Sequence, residues 1–234
     1  MRITILASGS SGNCYRVSDG TTDLLLEAGI PFGDIQKGCD FNLAGLAGCL
    51  ITHEHMDHAK AGEALMKRSV DVYTSQGTAT ARGWSGHRLH IARSMEAFTV
   101  GTFIIFPFDL EHDAEEPLGF CIMSKTTGEK LLYITDTKYV RYTFDDLTHL
   151  MCECNYDRDI LLDKVRSEEI ALSLAKRIMD SHMSIDTVLE MLAANDLRRL
   201  QQIYLLHLSE GNSDAAVFKE RVQRLTGAEV YICH

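Results

Sequence analysis

Short apolar runs broken by Gly- and Ser-containing turns fill the first part of this 234-residue chain, and helical periodicity takes over after about residue 166. The early runs "RITILAS", "CYRVSD", "TDLLLEAG" and "GCLIT" predict strands. "AKAGEALMKR" then sets Ala, Leu and Met at helical spacing, and "DVYTSQGTATARG" reads as a short strand followed by a turn or short helix. "EAFTVGTFIIFPFDL" and "PLGFCIMSKTTGEKLLYITD" predict further strands, the second pair joined at "TTGEK". The later helices are "SEEIALSLAKRIM", "SIDTVLEMLAAND" and "SDAAVFKERVQRLTG", with Ser184 and Ser213 as N-caps and Gly227 at the last C-terminal cap. Between and after them lie the strands "QIYLLH" and "EVYIC". Strands mixed with packing helices predict an α/β chain whose two sheets are covered by helices, an αββα sandwich. Without repeats, low-complexity tracts or a Pro-rich linker, residues 1–234 read as one domain.

One stretch breaks the pattern. "ITHEHMDHAK" (51–60) carries three of the chain's ten histidines and two acids within six positions. On a helix His53 and His55 would project about 200° apart, whereas in an extended segment positions i and i+2 share a face. The cluster therefore belongs on a strand-to-helix loop, which can send His53 and His55 one way and Asp57 and His58 another, an arrangement suited to two neighbouring metal ions.

Further groups able to bind metal recur just past apolar strands: His112 after "TFIIFPFDLE", Asp136 after "KLLYIT", Glu153 after "LTHLMC" and His207 after "IYLL". Strands ending at one rim can deliver side chains from distant sequence to one point.

Composition narrows the chemistry. Seven Cys, with no C-x-x-C pair, argue against a disulfide framework, and Cys152 and Cys154 around Glu153 read as buried thiols. A net charge of -10 disfavours capture of a long nucleic acid and leans toward a small phosphate ester held by bound cations. No segment has the apolar length of a signal peptide or membrane span, so a cytosolic protein is expected. His87, His90, His149 and His234 read as surface or structural residues.

The H-x-H-x-D-H run His53-Glu54-His55-Met56-Asp57-His58, with "SGSSGNCY", "HDAEEPLGF", "ITDT", "ECNYD" and "LLHLSEGN", resembles the metallo-β-lactamase superfamily. Within it these motifs resemble the RNase Z-like and YycJ-type branch, most of all the phage anti-Pycsar proteins. The resemblance implies two divalent metal ions per chain, Zn²⁺ or Mn²⁺, with His53, His55 and His112 on one, Asp57, His58 and His207 on the other, and Asp136 bridging. Asp57 counts also among the catalytic residues. His182 in "DSHMS" is the implied general acid, Glu153 and Asn155 orient ligands from behind, and Ser11 and Asn13 of "SGSSGN" line the phosphate pocket or form an ordinary turn.

The activity implied is hydrolysis of 3′,5′-cyclic nucleotides, cyclic CMP and cyclic UMP with purine relatives, to monophosphates by a homodimer. If the gene is phage-borne, the protein would act in the host cytoplasm against cyclic-nucleotide signalling. Two features depart from the family: Glu27 in "LLLEAG" stands where Asp is usual, and the Gly/Pro-rich arm that holds tRNA is absent. A nuclease of the YycJ or RNase Z type and a noncatalytic metal-dependent binding protein are the alternatives.

Overall fold

The computed structural model describes residues 1–233, so His234 lies outside the described residues. They fall into two compact units: Met1–Asp109 with Ala114–Lys130, and Leu110–Asp113 with Leu131 onward.

In unit 1 the strands β1 (Arg2–Ala7), β2 (Cys14–Ser18), β3 (Asp23–Leu26), β4 (Leu46–Leu50), β5 (Val72–Thr74) and β6 (Leu89–Ile91) form a six-stranded sheet in chain order. The first two pairings are antiparallel and the rest parallel. Helices α1 (Phe32–Gly38), α2 (Met56–Ala59), α3 (Gly62–Lys67) and α4 (Gln76–Ala81) occupy the connections. Leu25, Cys49 and Val72 from the strands and Ile51 just past β4 pack with Ile35, Leu65 and Trp84 into one core. Each fully buried aliphatic side chain there contributes about 1.5–3 kcal/mol. An antiparallel meander, β7 (Phe98–Val100), β8 (Phe103–Asp109) and β9 (Leu118–Ser124), completes the unit.

Unit 2 contains four parallel strands, β10 (Lys130–Ile134), β11 (His149–Glu153), β12 (Gln202–Leu206) and β13 (Glu229–Ile232), which pair in that order. Every residue of β11 is buried, as a central parallel strand covered on both faces requires. Around them lie α5 (Arg158–Arg166), α6 (Leu172–Ser181), α7 (Ile185–Ala193) and α8 (Ala215–Thr226). Tyr156, Leu161 and Ala175, with Ile170, Ile178 and Met179, form a small satellite cluster under α5 and α6.

The observed elements correct the sequence reading at three points. α5 precedes the expected start of the helical region because Asp157 caps it, accepting from the N–H groups of Asp159 and Ile160. α8 is capped by Asp214, not Ser213: the Asp214 carboxylate accepts from Ala216 and Val217, while the Ser213 hydroxyl donates back to the Ser209 carbonyl. α1 and β6 were not anticipated, being short and weakly patterned. Ser184 caps α7 as expected, and Gly227 ends α8 in the left-handed region at φ 69°, where a side chain would be strained. No helix of the described residues is long and apolar enough to cross a membrane.

Candidate metal centre

Unit 1 carries four candidate ligands just past β4. Thr52 anchors the departing chain, accepting from Leu118 N–H (3.0 Å) and donating its own N–H to Glu27 Oε2 (3.3 Å). His53 and His55 then share a face, as their spacing predicts: Nε2 of His53 lies 3.1 Å from Nδ1 of His55. The remaining nitrogen of His53, Nδ1, is hydrogen-bonded to Thr52 Oγ1 at 2.9 Å, which commits Nε2 to the site.

Asp57 and His58 sit in the helical turn of α2 at the end of the expected loop, which brings the His58 ring to 4.2 Å from that of His53 between centroids. The cause is the turn itself, in which the His55 carbonyl accepts from the N–H groups of His58 and Ala59 and folds the chain back.

Three residues prop this turn from behind. The buried Glu27 carboxylate lies 3.6 Å from His58 Nδ1, from a backbone held at φ 64°. The longer side chain in place of the usual Asp thus still reaches the histidine loop. Asn13, also buried, places Nδ2 at 3.2 Å from His58 Nε2, and its main-chain N–H donates to the Asp57 carbonyl at 2.7 Å. Its Oδ1 accepts from Gly9 N–H and the Tyr15 hydroxyl. Gly29 permits the approach: a Cβ there would lie 1.7 Å from the Asp57 carbonyl oxygen. "SGSSGN" therefore acts here through Asn13, while Ser11 is exposed.

In unit 2 the candidates come from the ends of adjacent parallel strands. Asp136 lies two residues past β10, Glu153 ends β11 and His207 follows β12. Asp136 Oδ1 is 3.2 Å from His207 Nδ1, while Oδ2 is 3.7 Å from His112 Nε2. His112 Nδ1 donates to the Ser181 carbonyl at the end of α6 (2.9 Å). Burial lowers the His112 pKa against the pull of Asp136, favouring the neutral ring that a metal takes. Asp136 and His207 both have positive φ, 40° and 53°, a strained backbone that the surroundings must hold. Asn155 does part of this, donating Nδ2 to the His207 carbonyl at 2.9 Å.

Glu153 is the hub. Its fully buried carboxylate accepts from Thr137 N–H (2.5 Å) and Met183 N–H (3.2 Å) at Oε1, and from His182 Nδ1 (2.9 Å) at Oε2. Burial opposes the imidazolium form of His182, but the charge and hydrogen bond of Glu153, then the charges of Asp136 and Asp113, outweigh it and push the pKa up to about 9. Ligand atoms of Asp136, Glu153, His182 and His207 all lie within 4.8 Å of one another.

Both donor sets fit divalent metal. They are imidazole and carboxylate throughout, two histidine nitrogens converge in unit 1, and each oxygen of Asp136 faces a different imidazole. Cys152 and Cys154 are buried free thiols whose pKa burial raises, in keeping with their reading as buried thiols. His87 is exposed, His90 pairs with Asp71 at 2.9 Å and His149 is buried in β11 against Thr148, in keeping with surface or structural roles. The sequence reading missed Thr52, Thr137 and the Ser181 carbonyl. Each stands next in sequence to a candidate residue, and adjacency was their only signal.

The chain belongs to the metallo-β-lactamase superfamily: a domain described as "Beta-lactamase superfamily domain" matches residues 37–208. Its architecture is that superfamily's α/β sandwich, and its class is a metal-dependent hydrolase. It is 30% identical to exodeoxyribonuclease WalJ of Streptococcus pneumoniae over 229 residues, covering 91% of this chain and 83% of the relative. It is 28% identical to exodeoxyribonuclease YycJ of Bacillus anthracis over 231 residues, covering 91% and 84%. Among solved structures, the metallo-β-lactamase fold protein YhfI of Bacillus subtilis is similar over 99% of this chain and 95% of its own, with a TM-score of 0.72 at 14% identity.

Proposed function

We propose that this chain is a metal-dependent phosphodiesterase that removes nucleotides from DNA ends. The observation that carries the chemistry is the bond from the half-buried His182 to the buried Glu153 carboxylate beside Asp136 and His207. In this reading His53, His55 and His112 hold one divalent ion, Asp57, His58 and His207 a second, and Asp136 bridges; Zn²⁺ or Mn²⁺ suits the donors. Such ions, when bound, activate water near neutral pH and take up charge on the phosphate's non-bridging oxygens.

The remaining work falls to side chains. Glu153 holds His182 by Nδ1, so Nε2 is the atom that faces the substrate, and the raised pKa keeps a proton there at neutral pH. That proton goes to the leaving alkoxide, a poor leaving group without it. Asn13 and Glu27 keep His58 in place, and Asn155 keeps His207.

A DNA end as substrate is supported by the two exodeoxyribonucleases, similar over nine tenths of the chain. A 3′,5′-cyclic nucleotide is the second reading, favoured by the net charge of -10 and the missing arm segment, with a homodimer as the working unit. Mn²⁺- or Zn²⁺-loaded protein incubated separately with single-stranded DNA, tRNA and each cyclic nucleotide separates them. Stepwise shortening of DNA from one end is expected. Rapid cyclic CMP or cyclic UMP hydrolysis with intact DNA would establish the second reading, and no hydrolysis of any phosphodiester would overturn both.

A further inference from the structure

We propose that Tyr139 is the residue on which the nucleobase stacks, so that its ring determines which phosphodiesters are held productively. The inference rests on the reading above, that the substrate is a nucleotide. Phe41 and Tyr139 are the exposed Phe, Tyr or Trp rings among the described residues. Tyr139 follows Asp136 by three residues, and its hydroxyl donates to Oε1 of Glu111, the residue before His112, at 2.9 Å. The two short segments carrying these candidate ligands are laced together at the same place. Glu111 N–H donates to Thr137 Oγ1 (2.9 Å), Thr137 Oγ1 donates to the Glu111 carbonyl (3.2 Å), and Lys138 N–H donates there as well (2.9 Å).

A ring fixed in this way stays at 41% exposure instead of folding onto the apolar surface. Satisfying Glu111 does not require it, because Arg141 already binds the same carboxylate oxygen. Nor does the loop offer phosphate a free cation: Arg141 is paired with Glu111, and Lys138 with Asp180 at 2.9 Å. What the loop does offer is an exposed aromatic ring tethered to the segments that carry the candidate ligands His112 and Asp136. Any base can stack on such a ring, so selectivity among bases is weak while selectivity for base over no base is strong.

The test pairs Tyr139→Leu, Tyr139→Phe and Tyr139→Trp with two versions of one substrate, a short single-stranded DNA whose terminal nucleotide is normal or abasic. The matching pair for the cyclic reading is a nucleoside 3′,5′-cyclic phosphate and its base-free ribose analogue. Tyr139→Leu is expected to raise KM on the base-bearing substrate by about 10-fold with kcat nearly unchanged, and to leave the base-free substrate unaffected. Tyr139→Phe and Tyr139→Trp, which keep a stacking ring but lose the hydroxyl tether to Glu111, should raise KM less than Tyr139→Leu does. Equal losses on both versions, or a loss in Tyr139→Phe as large as in Tyr139→Leu, would overturn the stacking role and leave the phosphodiesterase reading intact. A metal-loaded wild type that cleaves neither version of either pair would overturn that reading and the stack with it.

Discussion

The two units prepare their candidate metal ligands by opposite means. Unit 1 collects four within six consecutive residues and shapes them with one turn, held from behind by Asn13, Glu27 and the bare backbone of Gly29. Unit 2 draws Asp136 and His207 from the ends of separate parallel strands, and sheet register places them. The first design concentrates its sensitivity in a few buried supports. The second spreads it over a sheet, and its weak points are the strained residues just past the strands.

The largest effects should come from ligands. Protein purified without chelator should hold close to two transition-metal ions per chain by elemental analysis; His58→Ala should remove about one, and Asp136→Ala more than one, with turnover falling by at least about 10³-fold in each. A single ion that survives His58→Ala would separate the two units' roles and end the dinuclear reading.

His182→Ala should keep the metal and lower kcat by about 10²- to 10⁴-fold on an ordinary phosphodiester, and far less on a nitrophenyl ester whose leaving group needs no proton. Because the raised pKa keeps His182 protonated at neutral pH, activity should fall as pH rises through that value. Glu153→Gln should move this basic limb to lower pH. An unmoved limb would make Glu153 merely structural.

Asn13→Ala tests the propped turn. Losing the carboxamide strips partners from Gly9, Tyr15 and His58, at a cost of about 2–3 kcal/mol, or roughly 5–10 °C in Tm by calorimetry. An equal Tm loss from Asn155→Ala would erase the distinction between the units' supports.

The smallest effect lies away from the histidines. Burial alone would raise the Asp19 pKa, but the Ser124 and Thr102 hydroxyls and the N–H groups of Thr21 and Thr22 hold it well below the usual carboxylate range. The stability this ionised group contributes is complete above about pH 5 and lost as pH falls below about 4, where the unfolded carboxylate already takes a proton. The Tm difference between wild type and Asp19→Asn should therefore be constant at neutral pH and shrink in acid.

What could be read from sequence follows the same division. The unit 1 ligands were visible because local crowding of histidines needs no knowledge of the fold, and the i, i+2 rule placed His53 and His55 together. The helical turn that carries Asp57 and His58 was not read because a single turn, Met56–Ala59, is too short to leave periodicity. In unit 2, apolar strands ending in Asp136, Glu153 and His207 gave the positions, but only sheet order shows that those strands are neighbours. The Ser181 carbonyl under His112 had no signature at all, since every residue carries one.

The satellite cluster beneath α5 and α6 has a kinetic consequence. Three buried side chains, Tyr156, Leu161 and Ala175, are a thin keel for a helical hairpin, so this hairpin should be the first part of unit 2 to open, with amide hydrogens that exchange well before those of β11 and β12. Ser181 and His182 ride at its end, one accepting from His112 and the other bound to Glu153. Each brief opening would release both at once, so the proposed catalysis would cease in bursts while the sheet carrying the candidate ligands remained folded.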